Sequence, residues 1–167
     1  MAPDDEEFMR AAIAEARGAE ERDEVPAGAV VVSPEGQIVG RGGNSCISLN
    51  DPTAHAEIVA LREAGRRAGN YRLVGCRLYT TLEPCPMCLM AMIHARLAEA
   101  VYGAPEPKWG AAGSLLDLAG IGGLNHQLEV RGGVLAEECQ GLIKAFFQRR
   151  RGTEVAVTGA TRNRLIR

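Results

Sequence analysis

His55, with Cys85 and Cys88 of the run Pro84-Cys85-Pro86-Met87-Cys88, has the residue types and spacing of a metal site. Cysteines at i and i+3 project from one face of a helical turn. Together with one histidine they offer three soft-to-borderline donors and leave a fourth position open. Structural zinc closes with four protein ligands, whereas catalytic zinc keeps a place for water. A zinc ion held this way lowers the pKa of its water to about 7. Glu57, two residues beyond His55, is then the group that takes the proton and passes it on. A lone Cys-x-x-Cys would also suit a zinc knuckle, which needs a fourth ligand. The other histidines are His94 and His126, and His94 lies in an apolar segment that suits a core residue.

These side chains need particular elements to position them. His55 and Glu57 would lie about 200° apart around an α-helix, so they cannot share a site in mid-helix. At a first turn they can, because side chains there reach past the helix end. Pro52 sets such an entry, and Thr53 is an N-cap for a helix over 54–67. Pro86 suits the first turn of a second helix over 86–95, which is apolar nearly all round in Met87, Leu89, Met90, Ala91, Met92 and Ile93. That pattern predicts a buried central helix. Two helix N-termini then converge on the metal, their dipoles favouring thiolates and a hydroxide.

Around this pair, acids crowd the first turn of a predicted helix over 4–20, which Pro26 keeps from continuing. Strands over 27–33 and 38–41 form a hairpin about Pro34-Glu35-Gly36. Further strands are predicted over 77–81, 100–104 and 128–130, with a last helix over 136–151 carrying Phe146 and Phe147. Adjacent helix positions face about 100° apart, so one of these two rings belongs to the core. Residues 105–125 are Gly-rich with a weak helical hint over 114–118, and a connection that long is functional or disordered. The order α-β-β-α-β-α-β-β-α predicts a single α/β domain over 1–151 with a mixed sheet: an antiparallel hairpin plus crossover-linked parallel strands. Residues 152–167 lack a core-forming pattern and are expected to be a flexible basic tail.

Composition narrows the function classes. With 46% hydrophobic and 24% charged residues, the chain reads as an ordinary globular domain. No apolar run approaches the roughly 20 residues needed to cross a bilayer. The acidic start, Asp4-Asp5-Glu6-Glu7, fits neither a secretory signal nor a transit peptide, so a cytoplasmic location is expected. Five cysteines, an odd number, point to reduced thiols, with Cys46, Cys76 and Cys139 as small buried hydrophobes. The net charge of −2 hides an asymmetry: residues 1–24 hold nine acids and three arginines, and residues 144–167 hold seven Lys/Arg and one Glu. A basic end on an acidic protein suggests a local polyanion site, although a solvated charged helix face has the same composition.

His-x-Glu followed by Pro-Cys-x-x-Cys is the recurrent pattern of zinc deaminases, in which the Glu is not a ligand. At these residues the chain resembles the cytidine/deoxycytidylate deaminase superfamily, and within it the branch that acts on adenosine in transfer RNA. The likeness runs from about Phe8 to Arg151. It includes Glu24-Val25-Pro26-Ala27-Gly28-Ala29-Val30, Asp51-Pro52-Thr53-Ala54-His55-Ala56-Glu57, Asn70-Tyr71-Arg72-Leu73 and Leu78-Tyr79-Thr80-Thr81-Leu82-Glu83-Pro84-Cys85. More discriminating are Gly110-Ala111-Ala112-Gly113-Ser114-Leu115, Asn125-His126 and Phe146-Phe147 with Arg149-Arg150-Arg151.

The resemblance implies a three-layer cytidine-deaminase-like sandwich, with helices on both faces of a five-stranded mixed sheet. It implies hydrolysis of the wobble adenosine of a tRNA anticodon stem-loop to inosine by a homodimer with one zinc per subunit, without an organic cofactor. His55, Cys85 and Cys88 would bind the metal, and Glu57 would shuttle the proton. Asn44 matches the asparagine that reads the flipped base, while the backbone around Ala56, Pro84 and Cys85 helps to hold it. Lys108, Phe147, Arg149 and Arg150 match the RNA-contacting surface. The chain departs from the pattern at Trp109, which stands where a smaller residue is usual, at Glu106, and at Leu89-Met90. Two alternatives remain open on the same residues: a deaminase of a free base or nucleoside (guanine, or cytosine/cytidine), and a non-enzymatic RNA-binding subunit with structural zinc. The basic last helix distinguishes the first alternative, and the non-ligand Glu57 the second.

Overall fold

Strand β1 (Gly28–Val32) is buried along all five residues, as a strand covered on both faces must be. Ala29 and Val31 point into one core, Val30 and Val32 into the other. The computed structural model describes residues 4–157. Its sheet runs in the order β2 (Ile38–Gly43), β1, β3 (Arg77–Leu82), β4 (Glu99–Ala104) and β5 (Glu129–Gly132). β1 is antiparallel to β2 and β3, whereas β3–β4 and β4–β5 are parallel. Helices α1 (Asp5–Glu20) and α4 (Ala136–Val157) cover one face, and α2 (Ala56–Ala68) and α3 (Pro86–His94) the other. The architecture is the expected three-layer α/β sandwich.

Parallel neighbours require crossovers. α3 supplies the one from β3 to β4, and the Gly-rich segment between Ala104 and Glu129 supplies the one from β4 to β5. That segment holds turns and an isolated bridge between Ala112 and Asp117, with no helix over 114–118. Ser114 instead spends its N–H and hydroxyl on the Glu83 carboxylate.

Against β2 the helix α2 lies backbone to backbone. A β-carbon on Gly42 would sit 2.3 Å from the Ala56 carbonyl oxygen, and one on Gly40 2.3 Å from that of Ala60. The stripe Ala56, Ala60 and Ala64 makes this approach possible. On the opposite face, Asp5 is fully buried at the start of α1 and accepts hydrogen bonds from Arg131 (2.7 and 2.8 Å) and from the Tyr79 hydroxyl (2.9 Å). Arg131 also pairs with Glu99, so one cluster joins α1, β3, β4 and β5.

Three features differ from the sequence expectation. α2 starts at Ala56 with His55 as its N-cap residue, because the Thr53 hydroxyl and N–H bind Asp51 Oδ1 (2.6 and 2.8 Å). α3 is not enclosed: it buries Cys88, Leu89, Met92 and Ile93, but as an outer layer it leaves His94 exposed. α4 continues past Arg151 to Val157, while 158–167 of the expected tail lie outside the described residues. Among the described residues no helix is long and apolar enough to cross a membrane.

Replacing Arg131 by Ala would take two hydrogen bonds from the buried Asp5 carboxylate. The expected loss is about 2–3 kcal/mol, on the low side for a broken buried ion pair, because the Arg131 side chain is itself 34% exposed. It should appear as a lower urea midpoint at an unchanged m-value.

Candidate active site

Both His55 (φ −65°, ψ 154°) and Cys85 (φ −73°, ψ 169°) occupy N-cap positions in extended backbone, of α2 and α3 respectively. Each side chain therefore leaves its helix past the end, while Glu57 and Cys88 lie inside the first turns. This is how His55 and Glu57 share one site despite their spacing. His55 Nδ1 is 3.6 Å from Cys85 Sγ and 3.5 Å from Cys88 Sγ. The three donor atoms lie within 4.8 Å of one another, and among the described residues no fourth His, Cys, Asp or Glu joins them. One imidazole nitrogen and two sulfurs suit a borderline-soft ion such as zinc, and three donors leave a position open.

The site's charges are sharply differentiated. A hydrogen bond from Cys88, with His55 adding to it, lowers the Cys85 thiol to about 4, and the same bond pushes Cys88 up. Contact with Cys85 in turn raises His55. Glu57 is only 6% exposed. Its burial raises the carboxyl to about 7.

A cavity of about 710 Å³ opens on this cluster, and His55, Glu57, Cys85, Asn44, Cys46, Glu106 and Trp109 are among the residues that line it. Asn44 is held by a group the sequence did not single out. Glu24, fully buried, accepts hydrogen bonds from Asn44 Nδ2 (3.2 Å), the Ser48 N–H (2.7 Å) and the Ser48 hydroxyl (3.0 Å). Burial works to raise this carboxyl, but the hydrogen bonds from Ser48 outweigh it and keep the group ionised. A carboxylate can face only the NH₂ of the amide, so Asn44 Oδ1 is the acceptor end, and it takes a hydrogen bond from the Cys46 thiol (3.7 Å). Cys46 is half-buried beside the cavity, unlike the buried Cys76 and Cys139.

Glu83 does the same for another wall. It is buried and accepts the N–H groups of Glu106 (3.0 Å), Ala112 (2.9 Å) and Ser114 (3.1 Å) together with the Ser114 hydroxyl. Gly110 lies directly against it: a β-carbon there would be 2.4 Å from Glu83 Cδ. The loop over 106–114 is thereby clamped two residues from Cys85. Glu83, a single acid between a strand and a proline, carried a faint sequence signal. Glu24 closes the acidic run Glu20, Glu21, Asp23 and stood in the sequence only as the start of a run shared with the family, without a role of its own.

The remaining candidates are dispersed. Neither Ala56 nor Pro84 lines the cavity: the Ala56 carbonyl faces Gly42, and the Pro84 carbonyl accepts the Ala111 N–H at 2.9 Å. Lys108 and Phe147 line a second groove of about 290 Å³ with Lys144 and Arg151. Phe146 is the core ring of the pair, and Phe147 is 43% exposed. Arg149 reaches Glu20, and Arg150 donates to the Asp23 carbonyl (2.9 Å) while covering the Phe146 ring. Both guanidinium groups are thus engaged at the end of α1.

The cytidine and deoxycytidylate deaminase zinc-binding region matches residues 2–104, and the chain belongs to that deaminase family. Its similarity to known members is more specific. It is 48% identical over 147 residues to the tRNA-specific adenosine deaminase of Haemophilus influenzae, covering 88% of this chain and 85% of that protein. To the tRNA-specific adenosine deaminase of Bacillus subtilis it is 46% identical over 144 residues, 86% and 89% of the two chains. A solved structure from work on A-to-I editing by tRNA:A34 deaminases superposes with a TM-score of 0.78 at 44% identity, covering 81% of this chain and 98% of that one.

Substituting Glu83 by Ala should loosen the 106–114 loop, since several backbone donors lose a buried acceptor. The expected outcome is a stability loss of about 2–4 kcal/mol. In native-state hydrogen exchange, the amides of Glu106, Ala112 and Ser114 should become selectively unprotected.

Proposed function

We propose that this protein is a zinc-dependent hydrolytic deaminase that converts the wobble adenosine of a tRNA anticodon stem-loop to inosine. It acts in the cytoplasm as a homodimer with one zinc per subunit. The reading is carried by one juxtaposition: three clustered donors, and beside them in the same cavity a buried carboxyl, Glu57, that is not one of the three. A structural zinc site has no use for that carboxyl.

His55 through Nδ1, and Cys85 and Cys88 through their sulfurs, would hold the zinc. When bound, zinc supplies a water acidified enough to act as a nucleophile at neutral pH. Glu57 carries one proton of the attacking water to the adenine ring nitrogen and the second, from the hydroxyl then on the ring carbon, to the amino group, which departs as ammonia, a relay suited to a carboxyl that burial raises to about 7. Asn44, oriented by Glu24, offers its amide to the edge of the extruded base. An anticodon loop has unpaired bases that can enter such a cavity. Lys108, Lys144 and Arg151 beside the exposed Phe147 suit phosphates and a stacked base. Arg149 and Arg150 would join that surface by releasing Glu20 and the Asp23 carbonyl. A groove of about 660 Å³ between α2 and α3, lined by Ile58, Leu61, Tyr71 and Leu73, supports the second subunit.

Incubated with an anticodon stem-loop bearing a wobble adenosine, and separately with free adenosine, cytidine and guanine, the purified protein should produce inosine in the stem-loop. Deamination of a free base or nucleoside alone would overturn the substrate. Glu57→Ala should keep its zinc, measured by metal analysis, while turnover falls about 100-fold or more. Loss of the metal from this variant would make Glu57 a ligand instead of a proton carrier.

A further inference from the structure

Trp109 is 69% exposed, an unusual setting for the largest apolar side chain. It lies on the rim of the active-site cavity, in the loop that Glu83 clamps through the Glu106 N–H on one side and Ala112 and Ser114 on the other. The Gly110 N–H closes a turn onto the Glu106 carbonyl (2.8 Å), and Gly110 itself rests on Glu83. The indole is therefore carried on a firmly anchored turn. Its neighbour Lys108 lines the separate basic groove with Lys144, Phe147 and Arg151. One short turn thus borders both the cavity, through Trp109, and the groove, through the adjacent Lys108.

We propose that Trp109 is the stacking platform for the nucleobase next to the target adenosine, and that it tunes which loops this protein accepts. The proposal rests on the RNA reading given above. An exposed, preorganised aromatic face beside phosphate-binding lysines is what an unstacked base needs, because every base has a π-face to cover it. The ring binds the flanking nucleotide and takes no part in the proton relay, so its effect falls on KM and leaves kcat nearly unchanged.

Trp109 is the only tryptophan in the chain, so intrinsic tryptophan emission reports on it alone. Three RNAs would be titrated into the intact zinc-loaded protein: the wobble-adenosine stem-loop and two versions abasic at the 5′ or the 3′ neighbour. Inosine formation would be assayed in parallel. The expected result is saturable quenching by the intact loop that one of the abasic loops fails to produce. Trp109→Ala should raise KM for the intact loop about tenfold or more, and Trp109→Phe should recover most of it. Inosine formation with unmoved emission, or equal quenching by all three loops, would overturn the stack and leave the function standing. Emission that follows protein concentration and ignores RNA would place the indole against a second copy of the chain, and would also overturn it. Quenching specific to one flank without any inosine would keep the stack and sink the deamination reading.

Discussion

A β-carbon at Gly42 would lie 2.3 Å from the Ala56 carbonyl oxygen, so α2 rests on β2 with no side chain between them. The position of His55 follows from that contact, since it is the residue immediately before the helix. Cys85 stands in the same relation to α3, which begins only a few residues after β3 ends. Donors from two helices can lie within 4.8 Å of one another only if both helix starts are held at fixed height over the sheet. Small residues supply this: glycines on β2, and alanines at every fourth position of α2. The metal site is thus a consequence of layer packing as much as of ligand spacing.

The buried carboxyls divide according to what surrounds them. Glu24 and Glu83 are each met by several donors, which outweigh burial and keep them ionised. Each then acts as a fixed anion that orients a cavity wall, Glu24 through the Asn44 amide and Glu83 through the 106–114 loop. At Glu57 burial outweighs the hydrogen bonds from its own N–H and from Cys88, and the carboxyl rises to about 7. Where donors outweigh burial the carboxyl is held as a fixed anion, and where burial outweighs them, as at Glu57, it rises. Both behaviours belong to one residue type around a single cavity.

The crossover between β4 and β5 is a second economy of the fold. A parallel neighbour for β4 obliges the chain to cross the sheet, and here the crossing carries Glu106, Lys108 and Trp109 past the cavity mouth. The topological requirement and part of the cavity lining are met by one segment. Its glycines let the backbone press on Glu83, and its exposed side chains face outward where a substrate would lie.

Much of this was legible in the residues themselves. The element order, the mixed sheet and the gathering of His55, Cys85 and Cys88 beside Glu57 follow from periodicity, proline and glycine punctuation and short-range spacing, all of which a linear chain displays. Local pattern erred where another group claimed a side chain or where a face stayed open to solvent. Thr53 looks like a cap, but Asp51 claims its hydroxyl; His94 sits among apolar residues, yet α3 has an outer face. Ser114 gives up its helical hint to Glu83. The part played by Glu24 and Glu83 could not be read from the chain, because an acid's role depends on whether its donors are water or protein N–H and O–H groups. Those donors, Ser48 and Ser114, are brought to them only by folding. Sequence spacing therefore determined the chemistry this protein can perform. The tertiary structure decided which carboxyls are struts, which basic residues are already engaged at α1, and that Trp109 stands at the mouth of the cavity, because burial and partnership arise only when remote segments meet.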